Sequence, residues 1–298
     1  MINTRKIGDA VVTRVQELSG PTHPPEFLFP AVAKAQRDAA LEANRSWLAP
    51  QHYVPHMDRL IVTIQFWLVQ AGGNNILIDT GIGNRKRRPV ERMNMLNTLA
   101  MEWLEAAGAK PEQVTHVVHT HLHVDHVGWN TVERDGRWAP NFPNARHFIP
   151  RAEFEYWKNE YDSGDKDVQG GAFADSVLPI VEAGLAEFFE PERELADCLL
   201  PEAVYGHAPG MVTLRLRSQG EEGLFTADTM HSPIQVAQPD WNDRYVLWPD
   251  QALAARAATL QRAQERSALI MPFHFGAPYC GYVRRQGTGY RFEPASWP

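Results

Sequence analysis

The sequence predicts an α+β fold in which β-sheets are covered by helices. Its 298 residues, 44% of them hydrophobic and 22% charged, have the composition of a globular protein. Strand-like and helix-like segments alternate towards both ends of the chain, and hairpin patterns lie between them. Because no linker or internal repeat interrupts this order, we expect residues 1–298 to form a single domain.

The first 60 residues are expected to form an N-terminal arm. The stretch between Ser19 and His56 is rich in proline and aromatic residues, and its segment AVAKAQRDAALEA predicts one short helix within irregular structure. The apolar side chains of Phe27, Leu28 and Phe29 argue against disorder. We therefore expect residues 1–60 to pack on the core of the same chain or on a partner subunit.

The next elements lead to a histidine-rich segment. LIVTIQFWLVQ and NNILIDTG predict two strands joined by a turn. VERMNMLNTLAMEWLEAAG carries apolar residues at helical spacing, from Met95 to Leu104, and predicts one helix that Gly108 ends. VTHVVHT predicts a strand that runs directly into HTHLHVDHVGW.

The C-terminal half predicts a helical insert followed by strands and one long helix. Residues 152–201 have a helical pattern rich in aromatic residues. TLRLRSQGEEGLFTAD predicts a hairpin with a glycine-containing turn. PDQALAARAATLQRAQERSA predicts an amphipathic helix with Asp250 as its N-cap, and the apolar strand LIMPF follows it.

The bulk composition excludes several classes of partner. A net charge of −7 provides no basic surface for nucleic acid or an anionic membrane. Two cysteines are too few for a disulfide framework and suit a reducing compartment. The N-terminal sequence has no apolar signal-peptide core, and no apolar run approaches the roughly 18 residues that span a bilayer. We expect a cytoplasmic protein.

The segment HTHLHVDHVGW has the spacing H-x-H-x-D-H, which is typical of a metal site. In an extended chain His121 and His123 lie on one face, roughly 6 to 7 Å apart, and can converge on one metal ion. Asp125 and His126 follow where the chain must turn, so they could hold a second ion. A histidine-rich surface loop is the alternative, but an aspartate and a third histidine at these offsets favour metal binding.

Further ligands must come from distant parts of the chain. YGHAPG presents His207 among small residues that permit a tight turn. Asp228 ends the strand of LFTAD, and His274 ends the apolar strand of IMPFHFG. Ligands at strand ends are held by a rigid scaffold and remain open to a cleft.

These motifs, in this order and with the upstream ILIDTG, resemble those of the metallo-β-lactamase superfamily from about Gly72 to Gly276. The resemblance implies a four-layer αββα sandwich with two metal ions at one edge of its sheets. It implies that Asp79 accepts a hydrogen bond from a ligating residue or orients a loop. The implied ligands are His121, His123 and His207 for one ion, Asp125, His126 and His274 for the other, and Asp228 as the bridge.

Such a site implies hydrolysis. Two divalent ions share a bridging water whose pKa falls towards about 7, and the resulting hydroxide attacks the substrate, while Asp125 or Asp228 could pass a proton to the leaving group. Flavodiiron proteins use similar ligands for redox chemistry, but they usually carry a carboxylate in place of one histidine of this segment and add a flavin module. His121, His123 and His126 are all present here, which favours hydrolysis over redox chemistry. A metal-binding sensor without turnover is disfavoured by the complete ligand set. We expect zinc, although manganese, iron or cobalt suit the same ligands.

Within the superfamily, the chain resembles the branch of N-acyl homoserine lactonases and methyl parathion hydrolase. His231 follows Asp228 by three positions, where the lactonases usually have tyrosine and the parathion hydrolases histidine. We therefore expect a small, largely apolar ester or lactone as substrate. An organophosphate triester, or hydrolytic removal of an aryl halide, is the alternative. His231 is expected to be a further catalytic residue, and the alternative is a buried histidine that only makes hydrogen bonds.

Four aromatic residues could line an apolar substrate pocket, although such residues more often belong to a core. These pocket candidates are Phe27, Phe29, Trp129 and Phe275.

His119 is expected to be packed and hydrogen-bonded rather than a ligand. Because related enzymes bury a similar arm over the active site or against a second subunit, we expect a homodimer.

Overall fold

The computed structural model describes residues 2–297, which divide into two compact units. One contains the residues up to Leu18 and Ile64–Pro201, and the other contains Ser19–Thr63 and the residues from Glu202 onward. The strands are β1 (Ile2–Ile7), β2 (Ala10–His23), β3 (Tyr53–Val54), β4 (Arg59–Ala71), β5 (Asn74–Ile78), β6 (His116–Val118), β7 (Thr131–Arg134), β8 (Arg137–Pro140), β9 (Arg146–Pro150), β10 (Ala186–Phe189), β11 (Leu199–Ala203), β12 (Val212–Ser218), β13 (Glu221–Phe225), β14 (Leu269–Met271), β15 (Gly281–Gln286) and β16 (Gly289–Pro294). The α-helices are α1 (Pro25–Leu28), α2 (Lys34–Ala43), α3 (Arg45–Leu48), α4 (Ala100–Ala106), α5 (Arg151–Asp162), α6 (Leu178–Glu182), α7 (Ile234–Ala237) and α8 (Pro249–Glu265).

The first unit holds most of an eight-stranded sheet with the order β1-β2-β4-β5-β6-β9-β10, in which β3 pairs with β4. The neighbours β5, β6, β9 and β10 are parallel, whereas β1 pairs with β2 and β4 with β5 in antiparallel fashion. Ile76, Leu77 and Val118 are fully buried. Burial of the parallel strands explains why their sequences are apolar without alternation.

The second unit holds most of a six-stranded sheet with the order β11-β12-β13-β14-β15-β16. In this sheet β13 and β14 are parallel, and α8 contributes Leu260 to a core that also contains Ile270. The arm packs within the same unit, where Phe29 belongs to a buried cluster with Ile234 and Trp241. The rings of Phe29 and Trp241 lie 5.2 Å apart, edge to face.

Several predicted elements are confirmed. The strands β4 and β5 with their turn, the strand β6, the hairpin of β12 and β13, the helix α8 and the strand β14 all form where the patterns place them. Among residues 2–297, no helix is both long and apolar enough to cross a lipid bilayer.

The predicted helix between Val90 and Gly108 is wrong for its first half. Only α4, at Ala100–Ala106, is α-helical, and Met95 has a left-handed backbone with φ 51°. The Asn84 side chain accepts a hydrogen bond from the backbone N–H of Thr98 and donates one to its carbonyl, at 2.8 and 2.9 Å. This side-chain pairing holds the segment as a loop in place of a helix.

Three other boundaries differ from the predictions. Pro249 opens α8 after Trp248 as the N-cap, so Asp250 lies in the first turn and is not the cap. The segment predicted as a helical insert ends in strands, because β10 pairs in parallel with β9. The arm begins with an antiparallel hairpin of β1 and β2, which turns at Gly8 with φ 56°.

Candidate metal centre

In the first unit, Asp79 and the histidine segment follow two neighbouring parallel strands. Ile78 pairs with Val118 at the ends of β5 and β6, and the backbone N–H of Asp79 donates to the Val118 carbonyl at 3.1 Å. The carboxyl ends of parallel strands meet at one edge of a sheet, where binding residues commonly lie. The sheet itself therefore brings Asp79 next to the segment that begins at His119.

Asp79 is fully buried and accepts three hydrogen bonds. Its Oδ1 accepts the backbone N–H of Thr120 at 2.8 Å, and its Oδ2 accepts the Thr120 hydroxyl at 2.7 Å and His126 Nδ1 at 2.8 Å. Burial works to raise the pKa of Asp79, but the His126 and His119 rings lower it more, so the pKa lies below its usual value. Asp79 is therefore ionised and orients its neighbours.

This network fixes the tautomers of His121 and His126. Because the Thr120 hydroxyl gives its proton to Asp79, its oxygen accepts a hydrogen bond from His121 Nδ1 at 2.9 Å. His126 Nδ1 likewise carries a proton that it donates to Asp79. In the neutral rings both Nε2 atoms then carry lone pairs, which is the state that binds a metal.

The ligand atoms of the first unit lie close together. One nitrogen of His121, one of His126 and an oxygen of Asp79 lie within 4.8 Å of one another. The ring of His121 is 4.1 Å from that of His126 and 4.6 Å from that of His123. Oδ1 of Asp125 lies 3.8 Å from His126 Nε2.

Glu153 on α5 holds the backbone of the same segment. Its fully buried carboxylate accepts the backbone N–H of Leu122 at 3.1 Å and Trp157 Nε1 at 2.9 Å. The Trp157 ring lies 6.0 Å from the ring of His123. The helix therefore supports the stretch between His121 and His123 through the backbone of Leu122.

In the second unit, three imidazole nitrogens approach one oxygen of Asp228. Asp228 follows β13, His274 follows β14, and these strands are parallel. Oδ2 of Asp228 lies 2.9 Å from Nε2 of His274, 3.3 Å from Nε2 of His231 and 3.5 Å from Nε2 of His207. Gly206 has φ 131° and directly precedes His207. A Cβ on residue 206 would collide with the backbone of Ala252, so glycine is needed to place His207 here.

The hydrogen bonds of His274 show that this cluster suits a cation. Its Nδ1 donates to the carbonyl of Thr63 at 2.8 Å, since a carbonyl can only accept. In the neutral ring, Nε2 then presents a lone pair to the carboxylate of Asp228 at 2.9 Å. Two acceptors at this distance repel each other unless a proton or a metal ion neutralises them. Imidazole nitrogens around a carboxylate match the ligands of divalent transition metals.

Asp243 was not identified from the sequence, yet it orients His231. Its Oδ2 accepts His231 Nδ1 at 3.1 Å, and its Oδ1 accepts the backbone N–H of Tyr245 at 3.1 Å. Gln235 accepts the backbone N–H of His231 at 2.7 Å. Burial lowers the pKa of His231, but the attraction of Asp243 and Asp228 outweighs it and raises this pKa to about 10.

The predicted pocket residues differ in exposure. Phe27 is 41% exposed, whereas Phe29 and Phe275 are fully buried in apolar clusters, which favours core positions for both. Trp129 is also buried and donates its Nε1 proton to Glu17 at 2.8 Å. Their pocket roles stay predictions. His119 is fully buried, and its Nε2 lies 3.0 Å from the side-chain amide of Asn130.

Sequence reasoning missed Asp243, Glu153 and Glu17 because none belongs to a motif. Glu17 also accepts the backbone N–H groups of Ile82 and Gly83, at 2.6 and 3.0 Å, and burial raises its pKa to about 7. Each carboxylate lies far along the chain from at least one group that it holds, or in an irregular loop. No spacing rule connects such positions.

Sequence comparison gives one family and several relatives. The family model of the Metallo-beta-lactamase superfamily matches residues 62–274. N-acyl homoserine lactonase AiiB of Agrobacterium fabrum is 26% identical over 220 residues, which cover 66% of this chain and 74% of AiiB. N-acyl homoserine lactonase AttM of Rhizobium johnstonii is 43% identical over 56 residues, which cover 19% of this chain and only 18% of AttM.

Solved structures share the fold over the full length of the chain. AidC, a dizinc quorum-quenching lactonase in complex with a product, has a TM-score of 0.78 and 21% identity, and the match covers 100% of this chain and 98% of AidC. The hydrolase AbOPH has a TM-score of 0.81 and 22% identity, with the same coverage of 100% and 98%. At these identities the likeness concerns the fold, and it confirms the predicted α+β fold.

Proposed function

This chain belongs to the metallo-β-lactamase superfamily, and we propose that it is a dinuclear metal hydrolase acting on a small, largely apolar ester or lactone. Membership confirms the resemblance that the motifs predicted, and hydrolysis by a metal-dependent site is the proposed activity. The number of metal ions, the metal and the substrate belong to the proposal.

The proposed ligands are those that the motifs imply. The observation that carries the assignment is the common tautomer of His121, His126 and His274, whose Nδ1 protons all go to protein oxygens. In the neutral rings each Nε2 then carries the lone pair that can bind a cation. The proposed ligand set is His121, His123 and His207 for one cation, Asp125, His126 and His274 for the other, and Asp228 for both.

When bound, divalent cations at these ligands would lower the pKa of water and polarise a substrate oxygen. The side chains supply the remaining functions. Asp79 keeps His121 and His126 in the ligating tautomer, through Thr120 in the first case. A carboxylate oxygen of Asp125 or Asp228 would accept the proton that the attacking water releases and pass it to the leaving oxygen. Asp243 holds the proton on His231 Nδ1, so His231 Nε2 is the atom that faces Asp228 and the reacting groups.

A lactone or ester is favoured as substrate because AiiB and AidC, which resemble this chain in sequence and in fold respectively, are lactonases. An organophosphate triester remains the second candidate, because a histidine, His231, follows Asp228 by three positions. Zinc is the proposed metal, in line with the dizinc centre of AidC. A homodimer and a cytoplasmic location stay predictions from the sequence.

The test is a substrate panel on purified protein of known metal content. p-Nitrophenyl esters, γ-lactones and paraoxon are assayed before and after chelation, and after divalent metal is restored. We expect turnover of a lactone or an ester that chelation abolishes and metal restores. Faster turnover of paraoxon than of any ester or lactone would indicate that the substrate is an organophosphate triester, the second candidate.

Asp228→Ala and an exposed control, Asp250→Ala on α8, separate chemistry from folding. Asp228→Ala should lower every activity by at least about 100-fold while circular dichroism shows an intact fold. Asp250→Ala should retain activity. Undiminished turnover by Asp228→Ala would contradict the proposal.

A further inference from the structure

In the first unit, the loop of residues 80–83 packs directly against the end of the histidine segment. The backbone N–H of Gly128 donates to the carbonyl of Gly81 at 2.7 Å. A Cβ on Gly128 would collide with the carbonyl of Ile82, and a Cβ on Gly83 would collide with the carbonyl of Gly128. The position of the 80–83 loop and that of the histidine segment therefore depend on each other.

The carboxylate of Glu17 on β2 joins these two segments. Its Oε2 accepts the backbone N–H of Ile82 at 2.6 Å, and its Oε1 accepts that of Gly83 at 3.0 Å. Oε1 also accepts the indole Nε1–H of Trp129, the last residue of the histidine segment, at 2.8 Å. One side chain from a third element therefore holds the 80–83 loop and the histidine segment together.

Both segments are tied to groups of the proposed metal centre. The 80–83 loop directly follows Asp79, which accepts the Nδ1 proton of His126. The backbone N–H of Thr80 donates to the carbonyl of the same histidine at 2.8 Å. A displacement of the loop would therefore move Asp79 relative to the ring that it orients, and such orienting contacts determine how well a histidine binds a metal.

The donors around Glu17 require a carboxylate. Three N–H groups point at its two oxygens, and a carboxylate has lone pairs for all three and no proton that opposes them. Glu17 is buried, and this burial raises its pKa. The negative charge of Asp125 adds to the rise of this pKa. A carboxylate kept in surroundings that disfavour its charge is typical of a functional site.

We propose that Glu17 is a positioning residue of the metal centre, which acts by fixing the 80–83 loop against the indole of Trp129. This inference rests on the proposed function, because the metal centre belongs to that proposal. Glu17 acts through the backbone and through Trp129. While both are held, Asp79 keeps the Nδ1 proton of His126 in place, and His126 Nε2 keeps its direction.

Competition for Zn²⁺ between the protein and a chromophoric chelator tests the proposal. Glu17→Gln turns an amide N–H towards one of the three donors, so the dissociation constant of Zn²⁺ should rise about 10-fold and kcat should fall by a similar factor. Glu17→Ala removes every acceptor, and this constant should rise by up to about 100-fold. The visible absorption bands of the Co²⁺-substituted protein should shift in both variants, because these bands report the geometry of the ligands.

Val12→Ala, on the same strand, separates positioning from stability. Val12 is fully buried, so its truncation should lower the free energy of unfolding. The Zn²⁺ affinity and the Co²⁺ spectrum of Val12→Ala should remain those of the wild type. If Glu17→Gln also lowered only the free energy of unfolding, Glu17 would be a purely structural residue and the proposal would be wrong.

Trp129→Phe tests the route of the effect without changing Glu17. It keeps a ring and removes the indole donor, while the carboxylate retains two backbone donors, so Zn²⁺ binding should weaken less than in Glu17→Gln. Adding Trp129→Phe to Glu17→Ala should cause no further loss of Zn²⁺ affinity, since the bond is already absent. Fully additive losses would contradict an action of Glu17 through Trp129.

The same measurements distinguish the failure of this proposal from that of the proposed function. Wild-type Zn²⁺ affinity and turnover in Glu17→Gln, Glu17→Ala and Trp129→Phe would contradict the positioning role alone. A wild-type protein that binds Zn²⁺ but turns over no substrate of the panel would contradict the proposed function and leave the effect of Glu17 on Zn²⁺ affinity measurable. A wild-type protein that retains no Zn²⁺ would contradict both.

Discussion

Asp79 in the first unit and Asp243 in the second perform the same task in different surroundings. Each is buried, each accepts a backbone N–H, and each accepts the Nδ1 proton of a histidine, His126 or His231. Asp79 follows a strand whose parallel neighbour leads into its partners. Asp243 lies in an irregular segment between α7 and α8.

The difference shows which kind of positioning residue can be recognised from sequence. A strand end fixes where Asp79 lies relative to Thr120 before any side chain is placed, so the motif ILIDTG carries its role. The position of Asp243 depends on side-chain hydrogen bonds, including those of Gln235, which form only once the loop has folded. We therefore expect loss of Asp79 to affect folding and metal binding, and loss of Asp243 to affect mainly the reaction.

Asp79→Ala should produce the largest effect. It leaves the Thr120 N–H, the Thr120 hydroxyl and His126 Nδ1 without their buried acceptor, which should lower the free energy of unfolding by about 3–5 kcal/mol. The metal content of the purified Asp79→Ala protein should also be lower than that of the wild type. Urea unfolding and elemental analysis measure both quantities, and a stable variant with full metal content would show that Asp79 does not orient the ligands.

His52 sharpens the comparison because it is a buried histidine without a carboxylate. Neither of its ring nitrogens has a hydrogen-bond partner among residues 2–297, and burial lowers its pKa from 6.5 to about 4. Below pH 6.5 the unfolded chain binds a proton that the folded chain does not. The contribution of neutral His52 to the free energy of unfolding is therefore complete above pH 6.5. About 3 kcal/mol of it is lost as the pH falls towards 4.

His52→Phe removes this proton and keeps a ring beside Phe275 and Phe292. Between pH 6.5 and 4, the unfolding free energy of metal-free His52→Phe should fall by about 3 kcal/mol less than that of the metal-free wild type. Urea titrations at several pH values measure the difference. Parallel curves for the two proteins would contradict a low pKa of His52.

Asp243→Asn should reduce kcat by about 10- to 100-fold, because an amide cannot hold the His231 Nδ1 proton in the same way as a carboxylate. Metal content and KM should change little, in contrast to Asp79→Ala. Steady-state kinetics with parallel metal analysis separates the two carboxylates. Loss of metal from Asp243→Asn would remove the distinction between them.

Substitution of Glu153 by Gln should have the smallest effect on stability and activity. Glu153→Gln retains an oxygen that can accept the Leu122 N–H, so we expect a loss of about 1 kcal/mol in unfolding free energy and little change in activity. Glu153→Ala removes the acceptor and should weaken metal retention further. Equal metal retention by both variants and the wild type would mean that α5 does not support the ligand segment.

The sequence predicted the parts of this protein that strand ends and fixed spacings determine. The segment from His121 to His126, the hairpin of β12 and β13 and the helix α8 follow from local patterns. The apolar spacing around Met95 failed because Asn84, distant in sequence, fixes Thr98 in a loop. Asp243 and Glu17 act through contacts that exist only in the folded chain, so no local pattern could indicate them.

The most direct test of the central claim is a metal titration of the metal-free protein with hydrolysis as the readout. If the seven predicted ligands hold a pair of catalytic cations, activity should rise with added Zn²⁺ and level off at about two equivalents per chain. Metal analysis of the saturated protein should give the same ratio. Full hydrolytic activity in protein that elemental analysis shows to be free of metal would contradict the account.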